Sequence, residues 1–214
     1  MIKATLMDYM GSDITVVNAA RVSFGKKSSN TYTTAKDEKL IWYLAEHKHM
    51  SPFGHCFASF HVKAPIFVAR QLVKHKFLRW NEISRRYVDE EPEFYVPETW
   101  RGRAKDKKQG SDGSIKLSEY AKDGPEFIHD EARSLYNDLL KDGVCPEQAR
   151  MVLPQSTMTE WYWSGSLDAF ADMCNLRCAS DTQAETREVA TQISDRMRKL
   201  FPVSWATLVE KNYE

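Results

Sequence analysis

The segment HCFASFHVK, at residues 55–63, constrains the fold more than any other part of the sequence because its side chains alternate. Every second position would share one face of a strand: Cys56, Ala58, Phe60 and Val62. The positions between them, on the opposite face, are Phe57, Ser59, His61 and Lys63. A period of two is typical of a strand with one buried face, so we predict a half-buried strand here. Pro65 ends this strand and suits the first turn of a helix over residues 66–77.

Strands are predicted mainly in the first half of the chain and helices in the second. We expect a strand over residues 2–9; Ser12 or Asp13 can cap a short helix, and the capping-box pattern at residues 34–37 opens another. Helical patterns in the second half cover residues 126–143, 146–153, 166–178 and the stretch up to Phe201. A strand or an irregular connection is expected at 155–165, and a short extended segment at 93–97. This order predicts a single α+β domain over residues 1–214, with a small, mainly antiparallel sheet and long helices.

Residues 101–116 are expected to form a mobile surface loop around the predicted domain. The segment RGRAKDKKQGSDGSIK holds three glycines and almost no apolar residue. Such a composition is typical of flexible connections, which can usually be shortened at small cost. We therefore expect that replacing this loop would leave catalysis intact.

The charge balance of the chain limits its possible partners. The 214 residues include 30 basic and 30 acidic side chains, which gives a formal net charge of zero. General nucleic-acid or membrane binders usually carry a broad basic surplus, so any anion site here must be local. No signal-peptide pattern or membrane-length apolar run is present, and the four cysteines lie in core-like contexts. We interpret the cysteines as reduced thiols and predict a cytoplasmic protein.

Residues 70–86 concentrate the positive charge of the neutral chain. This stretch holds six Lys or Arg residues and one His around a single acid, Glu82. On the predicted helix Arg70 and Lys74 share a face, and Ser84 follows close by. Converging cations with a nearby hydroxyl are what phosphate recognition requires. A solvated basic face is the alternative, although it accounts poorly for the polar residues set among apolar ones.

Three other patterns are candidate sites. Four histidines lie close together in the sequence: His47, His49, His55 and His61. No carboxylate or cysteine completes a recognised ligand spacing, so no metal site is predicted, and His49 is a better candidate as a donor at a helix end. Glu147 and Arg150 lie one helical turn apart and could be either a surface ion pair or part of a site. Arg177 lies among apolar neighbours, so it is expected either in a pocket or in a structural ion pair.

Taken together, these segments resemble the flavin-dependent thymidylate synthases, also called the thymidylate synthase complementing family. The family signature is Arg-His-Arg, seven residues and Ser; here it stands as Lys74-His75-Lys76, FLRWNEI and Ser84. Further similar blocks are AARVSF at 19–24, HMSPFGH at 49–55, FHVKAPIFVARQ at 60–71, NEISRRY at 81–87, EFYVP at 93–97, EQARMVLP at 147–154 and NLR at 175–177. The blocks follow one another in order along nearly the whole chain.

The resemblance implies an enzyme that methylates dUMP to dTMP. The methyltransferase would use 5,10-methylenetetrahydrofolate as one-carbon donor, FAD as redox carrier and NADPH or NADH as reductant. It would act as a homotetramer with active sites between subunits, and without nucleic-acid or membrane partners. Because the family mechanism needs no enzyme thiolate, we also expect that no cysteine is required for methylation.

The resemblance also implies roles for individual residues. The dUMP site would be formed by Gln71, Ser84, Arg86, Glu147, Arg150 and Arg177. Arg177 would be catalytic, because its charge can stabilise the uracil carbonyls as C5 becomes nucleophilic. The FAD site would include Ser51, Lys74, His75, Lys76 and Glu82. His49 would lie near the flavin ring and the folate.

The sequence departs from the family at several flavin positions. Lys74 and Lys76 replace arginines, which keeps the charge but loses the planar bidentate fork. Ser166, Asp168 and Asp181 stand where the family often has Asn, Arg and His. These changes leave two alternatives open: a related flavin-dependent pyrimidine-nucleotide modifier, such as a hydroxymethylating enzyme, and a non-catalytic nucleotide- or RNA-binding module.

Overall fold

The computed structural model describes residues 1–105 and 110–209. The strands are β1 (Lys3–Met10), β2 (Phe57–Pro65), β3 (Leu78–Glu82), β4 (Arg101–Arg103), β5 (Ser111–Ser114) and β6 (Met158–Ser166). The helices are α1 (Asp13–Arg21), α2 (Ala35–Glu46), α3 (Ile66–Leu72), α4 (Glu119–Lys141), α5 (Pro146–Ala149), α6 (Leu167–Arg177), α7 (Ala184–Leu200) and α8 (Pro202–Leu208). Short 3-10 turns lie at Val22–Phe24, Phe53–His55 and Arg150–Val152.

A four-stranded antiparallel sheet in the order β1-β2-β6-β3 forms the centre of the fold. The alternation predicted for β2 is confirmed, since Ala58, Phe60 and Val62 are buried and the residues between them are exposed or half-buried. Cys56, just before the strand, is buried on the same side. The predicted α+β class is therefore correct, and the buried face of β2 sets which side of the sheet the helices cover.

The main core lies between this sheet and the helices of the second half. Trp163 of β6 packs edge-on against both Trp161 of the same strand and Phe170 of α6, and all three side chains are buried. Helix α7 packs against β1, β2 and α6. Burial of large aromatic side chains contributes most per residue to such a core, at about 25 cal/mol for each Å² of apolar surface removed from water. This packing fixes α6 and the start of α7 relative to the sheet.

The predicted helix over residues 66–77 is shorter in the structure. It ends at Leu72, and the chain then turns and forms β3, which was not predicted. The turn includes Phe77 with a φ of 65°, and it delivers Leu78 opposite Gly165 of β6. A Cβ at Gly165 would lie only 2.4 Å from the Leu78 side chain and 3.2 Å from the Phe77 carbonyl oxygen, so a larger residue there would require the Leu78 side chain to shift. Lys74 therefore lies beyond the helix and does not share a helical face with Arg70.

The helical second half was largely predicted, with two differences. Helix α4 begins at Glu119, earlier than predicted, and Ser118 caps it by accepting a hydrogen bond from the backbone N–H of Ala121. The short helix α8 was not predicted; it begins with Pro202 at its first position. For residues 155–165 the sequence allowed either a strand or an irregular connection. In the structure this segment contains most of β6, one of the two central strands of the sheet.

Residues 101–116 contain more structure than the expected surface loop. Strands β4 and β5 pair in an antiparallel manner and form a small hairpin, which we call the β4–β5 hairpin. Residues 106–109 of this loop lie outside the described residues. The mobility of the segment stays a prediction, but both of its ends are anchored in regular structure.

No helix in the described parts of the chain is both long enough and apolar enough to cross a membrane.

Candidate active site

A cleft with a volume of about 830 Å³ lies where α3, the end of α6, the start of α7 and the β4–β5 hairpin meet. We call it the large cleft. Its lining includes Gln71, Tyr95, Arg101, Ser156, Arg177 and Glu185. Of the residues predicted for the dUMP site, the structure thus brings Gln71 and Arg177 into this cleft. They come from α3 and α6, which pack against the same sheet.

Arg177 ends α6 and extends into the large cleft beside His75. Its Nε donates a hydrogen bond of 2.9 Å to His75 Nε2. His75 Nε2 must therefore be unprotonated, and the neutral ring carries its proton on Nδ1. Burial, and then the positive charge of Arg177, lowers the pKa of His75 from 6.5 to about 4. His75, predicted as a flavin residue, thus orients the guanidinium of Arg177 as a neutral acceptor at neutral pH.

The positive charge of Arg177 is not neutralised by a carboxylate in the described part of the chain. The side chain is partly buried, and this burial lowers the pKa of the guanidinium. A partly desolvated cation without an anionic partner attracts an anion or a developing negative charge more strongly than a fully solvated one does. The sequence left open whether Arg177 enters a pocket or a structural ion pair, and the structure supports the pocket.

Gln71 lies on the same wall of the large cleft, held by the first turn of α7. Its Nε2 donates to Gln183 Oε1, and its Oε1 accepts a 3.2 Å hydrogen bond from the hydroxyl of Thr186. Thr186 is completely buried. The amide of Gln71 is therefore held at both of its polar atoms.

The other residues predicted for the nucleotide, Ser84, Arg86, Glu147 and Arg150, do not line the large cleft. Arg86 Nε lies 3.3 Å from Ser84 Oγ and donates to it, and its guanidinium stacks over Tyr87. Arg150 follows α5, and its Nε donates to the backbone carbonyl of Glu147. Of the two alternatives for Glu147 and Arg150, the side-chain ion pair is not formed in the described part of the chain, and the Glu147 carboxylate is exposed.

The residues predicted for the flavin do not form one cluster within the chain. Lys74 and Lys76 are exposed in the turn after α3 and have no ion-pair partner in the described ranges. Glu82 accepts hydrogen bonds from Trp80 Nε1 at 3.1 Å and from Thr159 Oγ1 at 2.7 Å. This carboxylate is thus held against the sheet.

His49 and Ser51 line a second cleft of about 720 Å³, between α1, α2 and the turn that follows α2. Tyr43, His47 and His49 stack next to it, with ring centroids 4.0–6.4 Å apart. The two clefts have no lining residue in common. The predicted site residues are therefore divided between two surfaces of one chain.

Several cleft residues were not predicted from the sequence. Arg101 Nη2 forms a 2.6 Å ion pair with Glu185, which is almost fully buried. Burial opposes ionisation of Glu185, but the hydrogen bond and charge of Arg101 and a contact from Gln183 outweigh it and lower the pKa of the carboxyl group. The only sequence signal for Glu185 was its position at the start of a long amphipathic helix. Arg101 was assigned to a loop without a role.

Three of the four cysteines, Cys56, Cys174 and Cys178, are buried. Burial raises the pKa of Cys56 to about 12 and raises that of Cys174 as well. A thiol with a raised pKa stays protonated at neutral pH and is a poor nucleophile. Cys145 is exposed at the start of α5 and lines neither of the two clefts.

Within residues 1–105 and 110–209, no group of three or more His, Cys, Asp or Glu side chains is arranged to hold a metal ion.

Comparisons with known proteins all identify the same family. The family model described as thymidylate synthase complementing protein matches residues 5–203. A flavin-dependent thymidylate synthase of Thermus thermophilus is 43% identical over 96% of this chain and 74% of the relative. The enzyme of the same name from Thermosipho melanesiensis is 38% identical over 97% of this chain and 90% of the relative.

A solved structure is similar over almost the whole fold. The UMP/dUMP methylase PolB of Streptomyces cacaoi, bound with 5-Br dUMP, superposes with a TM-score of 0.87. It is 33% identical, and the alignment covers 97% of this chain and 94% of that one.

The α+β fold and the relatives that share it define an enzyme, a methyltransferase. The chain belongs to the thymidylate synthase complementing protein family, whose model covers most of its length.

Proposed function

We propose that this enzyme is a flavin-dependent thymidylate synthase that methylates dUMP to dTMP. The observation that carries the proposal is the large cleft, in which Arg177 and Gln71 lie together and Arg177 has no carboxylate partner in the described residues. The related enzymes are named for this activity, and PolB is named a UMP/dUMP methylase bound with 5-Br dUMP. The large cleft is therefore assigned to the pyrimidine nucleotide.

Arg177 has the central chemical role in this proposal. Activation of uracil C5 as a nucleophile places negative charge on the ring carbonyls, and a guanidinium within hydrogen-bond distance would stabilise that charge. His75 positions Arg177 by accepting its Nε–H, so the remaining donors of the fork are available to the nucleotide. Methylation would then proceed without an enzyme thiolate, in agreement with the raised pKa values of Cys56 and Cys174.

The flavin is assigned to FAD, held by the cationic turn after α3. Lys74, Lys76 and Arg79 are exposed, and none has an ion-pair partner in the described residues, so their charge is available to a pyrophosphate. Asp168 and Asp181, where the family resemblance implies Arg and His, would oppose this attraction by adding negative charge near a pyrophosphate. The chain's own residues therefore fit a flavin, but through point charges rather than planar guanidinium forks. When bound and reduced, the flavin would supply the hydride that completes the methyl group.

The folate and the quaternary structure are further parts of the proposal. We assign 5,10-methylenetetrahydrofolate as one-carbon donor, NADPH or NADH as reductant, and a homotetramer as the active form. Two features support shared active sites: His49 and Ser51 line a different cleft from Gln71 and Arg177, and several large apolar side chains are exposed. Among these are Phe24, Phe77, Tyr120 and Met151, each more than three-quarters exposed. A second subunit could cover such side chains and bring His49 and Ser51 of one chain towards Arg177 of another.

A product assay tests the function directly. We expect the purified enzyme with FAD, NADPH, methylenetetrahydrofolate and dUMP, under anaerobic conditions, to form dTMP as the nucleotide product. Chromatography against authentic dTMP and 5-hydroxymethyl-dUMP separates methylation from hydroxymethylation, and a parallel reaction with dCMP tests the pyrimidine. Formation of 5-hydroxymethyl-dUMP, or turnover of dCMP alone, would replace this assignment with the related nucleotide modifier. Tight salt-sensitive binding of RNA with no turnover would favour the non-catalytic module.

FAD binding is expected to weaken as the salt concentration rises. Exposed point charges are screened at high ionic strength, unlike buried bidentate contacts. Replacing Lys74 and Lys76 by glutamine should raise the FAD dissociation constant about five- to twentyfold at low salt. The measurement is a titration followed by flavin fluorescence at low and high salt. The matched control replaces Lys122 and Lys199, two exposed lysines elsewhere, by glutamine; an equal loss in this control would show that only net charge matters.

A further inference from the structure

The amide of Gln71 can face the large cleft in two ways, presenting either its N–H donors or its carbonyl acceptor. The side chain of a glutamine is nearly symmetric in shape, so its neighbours decide which atom points where. Here the neighbours form one continuous polar chain that starts at the β4–β5 hairpin and ends inside α7. The direction of that chain determines what Gln71 can bind.

Glu185 sets the direction of the chain. Its Oε1 is paired with Arg101 at 2.6 Å, and the residue is only 5% exposed. With a pKa lowered by Arg101 and Gln183, it is ionised at neutral pH, and an ionised carboxylate can only accept hydrogen bonds. The side-chain amide of Gln183 helps to lower the pKa of Glu185, which favours the orientation in which its nitrogen faces Glu185 and its carbonyl Oε1 faces Gln71.

The remaining contacts follow from this orientation. Gln183 Oε1 accepts from Gln71 Nε2, and Gln71 Oε1 in turn accepts from the Thr186 hydroxyl at 3.2 Å. The hydroxyl of Thr186 is fully buried, so it has no access to bulk water as an alternative partner. A flipped Gln71 amide would set its carbonyl oxygen against the carbonyl oxygen of Gln183, and it would lose the hydrogen bond that it accepts from Thr186.

We propose that Gln183 and Thr186 are positioning residues that fix Gln71 as a hydrogen-bond donor in the large cleft, where it binds an acceptor oxygen of the pyrimidine nucleotide. This inference rests on the proposed function, which assigns the cleft to dUMP. The amide nitrogen has two hydrogens, and one of them is used by Gln183. The other selects a phosphate or carbonyl oxygen and disfavours an amino group at the same place.

Removing the hydroxyl of Thr186 tests the proposal. Thr186→Val keeps the size and branching of the side chain, and it removes the hydrogen bond that holds the carbonyl end of the Gln71 amide. We expect the dissociation constant for dUMP, measured by calorimetry on the FAD-loaded enzyme, to rise about three- to tenfold. Thr186→Ser should restore affinity to within about twofold, because it restores the hydroxyl. The matched control is Ser194→Ala, which removes another buried hydroxyl from α7, the one that accepts a hydrogen bond from Trp205 Nε1.

Thr186→Val in a Gln71→Ala background shows whether Thr186 affects dUMP affinity through Gln71 or through the stability of the surrounding structure. A positioning residue acts only through its target, so Thr186→Val should cause no further loss once Gln71 is absent. An equal loss in both backgrounds, or unchanged dUMP affinity in Thr186→Val, would overturn the proposal. If the unmodified enzyme binds no dUMP, the proposed function fails instead, so the two failures are distinguishable.

Discussion

Replacing Arg177 by alanine should raise the dissociation constant for dUMP about ten- to a hundredfold and reduce turnover at least as much. The loss of a charge-assisted contact costs about 1.5–3 kcal/mol, and Arg177 lies in the large cleft without a carboxylate partner in the described chain. FAD should remain bound, because the cationic turn assigned to it is formed by other residues. Calorimetry with dUMP and flavin absorbance of the same sample measure the two effects.

Two further variants separate charge from geometry at this position. Arg177→Lys keeps the positive charge but loses the planar fork and the Nε–H that His75 accepts, so an intermediate affinity is expected. Arg198→Ala removes an exposed arginine from α7 and should leave dUMP binding unchanged. Unaltered nucleotide affinity and rate in Arg177→Ala would refute the assigned role of this residue.

The elements with one buried face could be predicted because their pattern reflects local burial. The alternation around Phe60 predicted β2, and the caps at Ser12 and Thr34 predicted the start of α1 and α2. The strand β3 could not be predicted in the same way. Its formation depends on the close approach of Leu78 to Gly165, a contact between residues far apart in the chain. The residues before β3 have a helical pattern, and for this reason the predicted helix ran to residue 77 although α3 ends at Leu72.

The candidate site was partly predictable for a similar reason. Arg177 could be predicted as a site residue because a charged side chain among apolar neighbours needs a partner. Gln71 was predicted from the resemblance to the family. The residues that hold these two side chains could not be identified, because Gln183, Glu185 and Thr186 look like ordinary positions of an amphipathic helix. Their roles depend on the packing of α7 beside α3, which only the tertiary structure provides.

The β4–β5 hairpin differs most from what the sequence predicted, which was a surface loop without a role. We expected residues 101–116 to be dispensable, yet Arg101, Gly110 and Ser111 line the large cleft. Arg101 also donates to Ser111 Oγ at 2.9 Å, so it joins both strands of the hairpin to Glu185 of α7. Replacing residues 102–114 with a short Gly-Ser link should therefore open the cleft and lower dUMP affinity by an amount comparable with the loss in Arg177→Ala.

A point substitution tests this anchoring without removing the hairpin. Arg101→Gln leaves the buried Glu185 carboxylate without its cation, and breaking a buried pair in this way costs several kcal/mol. Because the side chain of Arg101 is 33% exposed, solvent screening reduces the expected loss in the free energy of unfolding to about 1–3 kcal/mol. The matched control is Arg103→Gln, in the same strand, where Arg103 is exposed and has no ion-pair partner in the described chain.

The pH dependence of this loss identifies its cause. In the intact enzyme the pKa of Glu185 is below its ordinary value of 4.5, so folding is stabilised above that pH and the stabilisation is lost as the pH falls through the lowered pKa. Arg101→Gln removes this contribution, because burial alone raises the pKa of Glu185. The difference in unfolding free energy between the two proteins should therefore be largest near neutral pH and shrink in acid. Denaturant unfolding at several pH values, with dUMP affinity measured in parallel, checks both expectations. A difference that is independent of pH, with unchanged dUMP affinity, would show that Arg101 neither stabilises the ionised Glu185 nor holds the hairpin over the cleft.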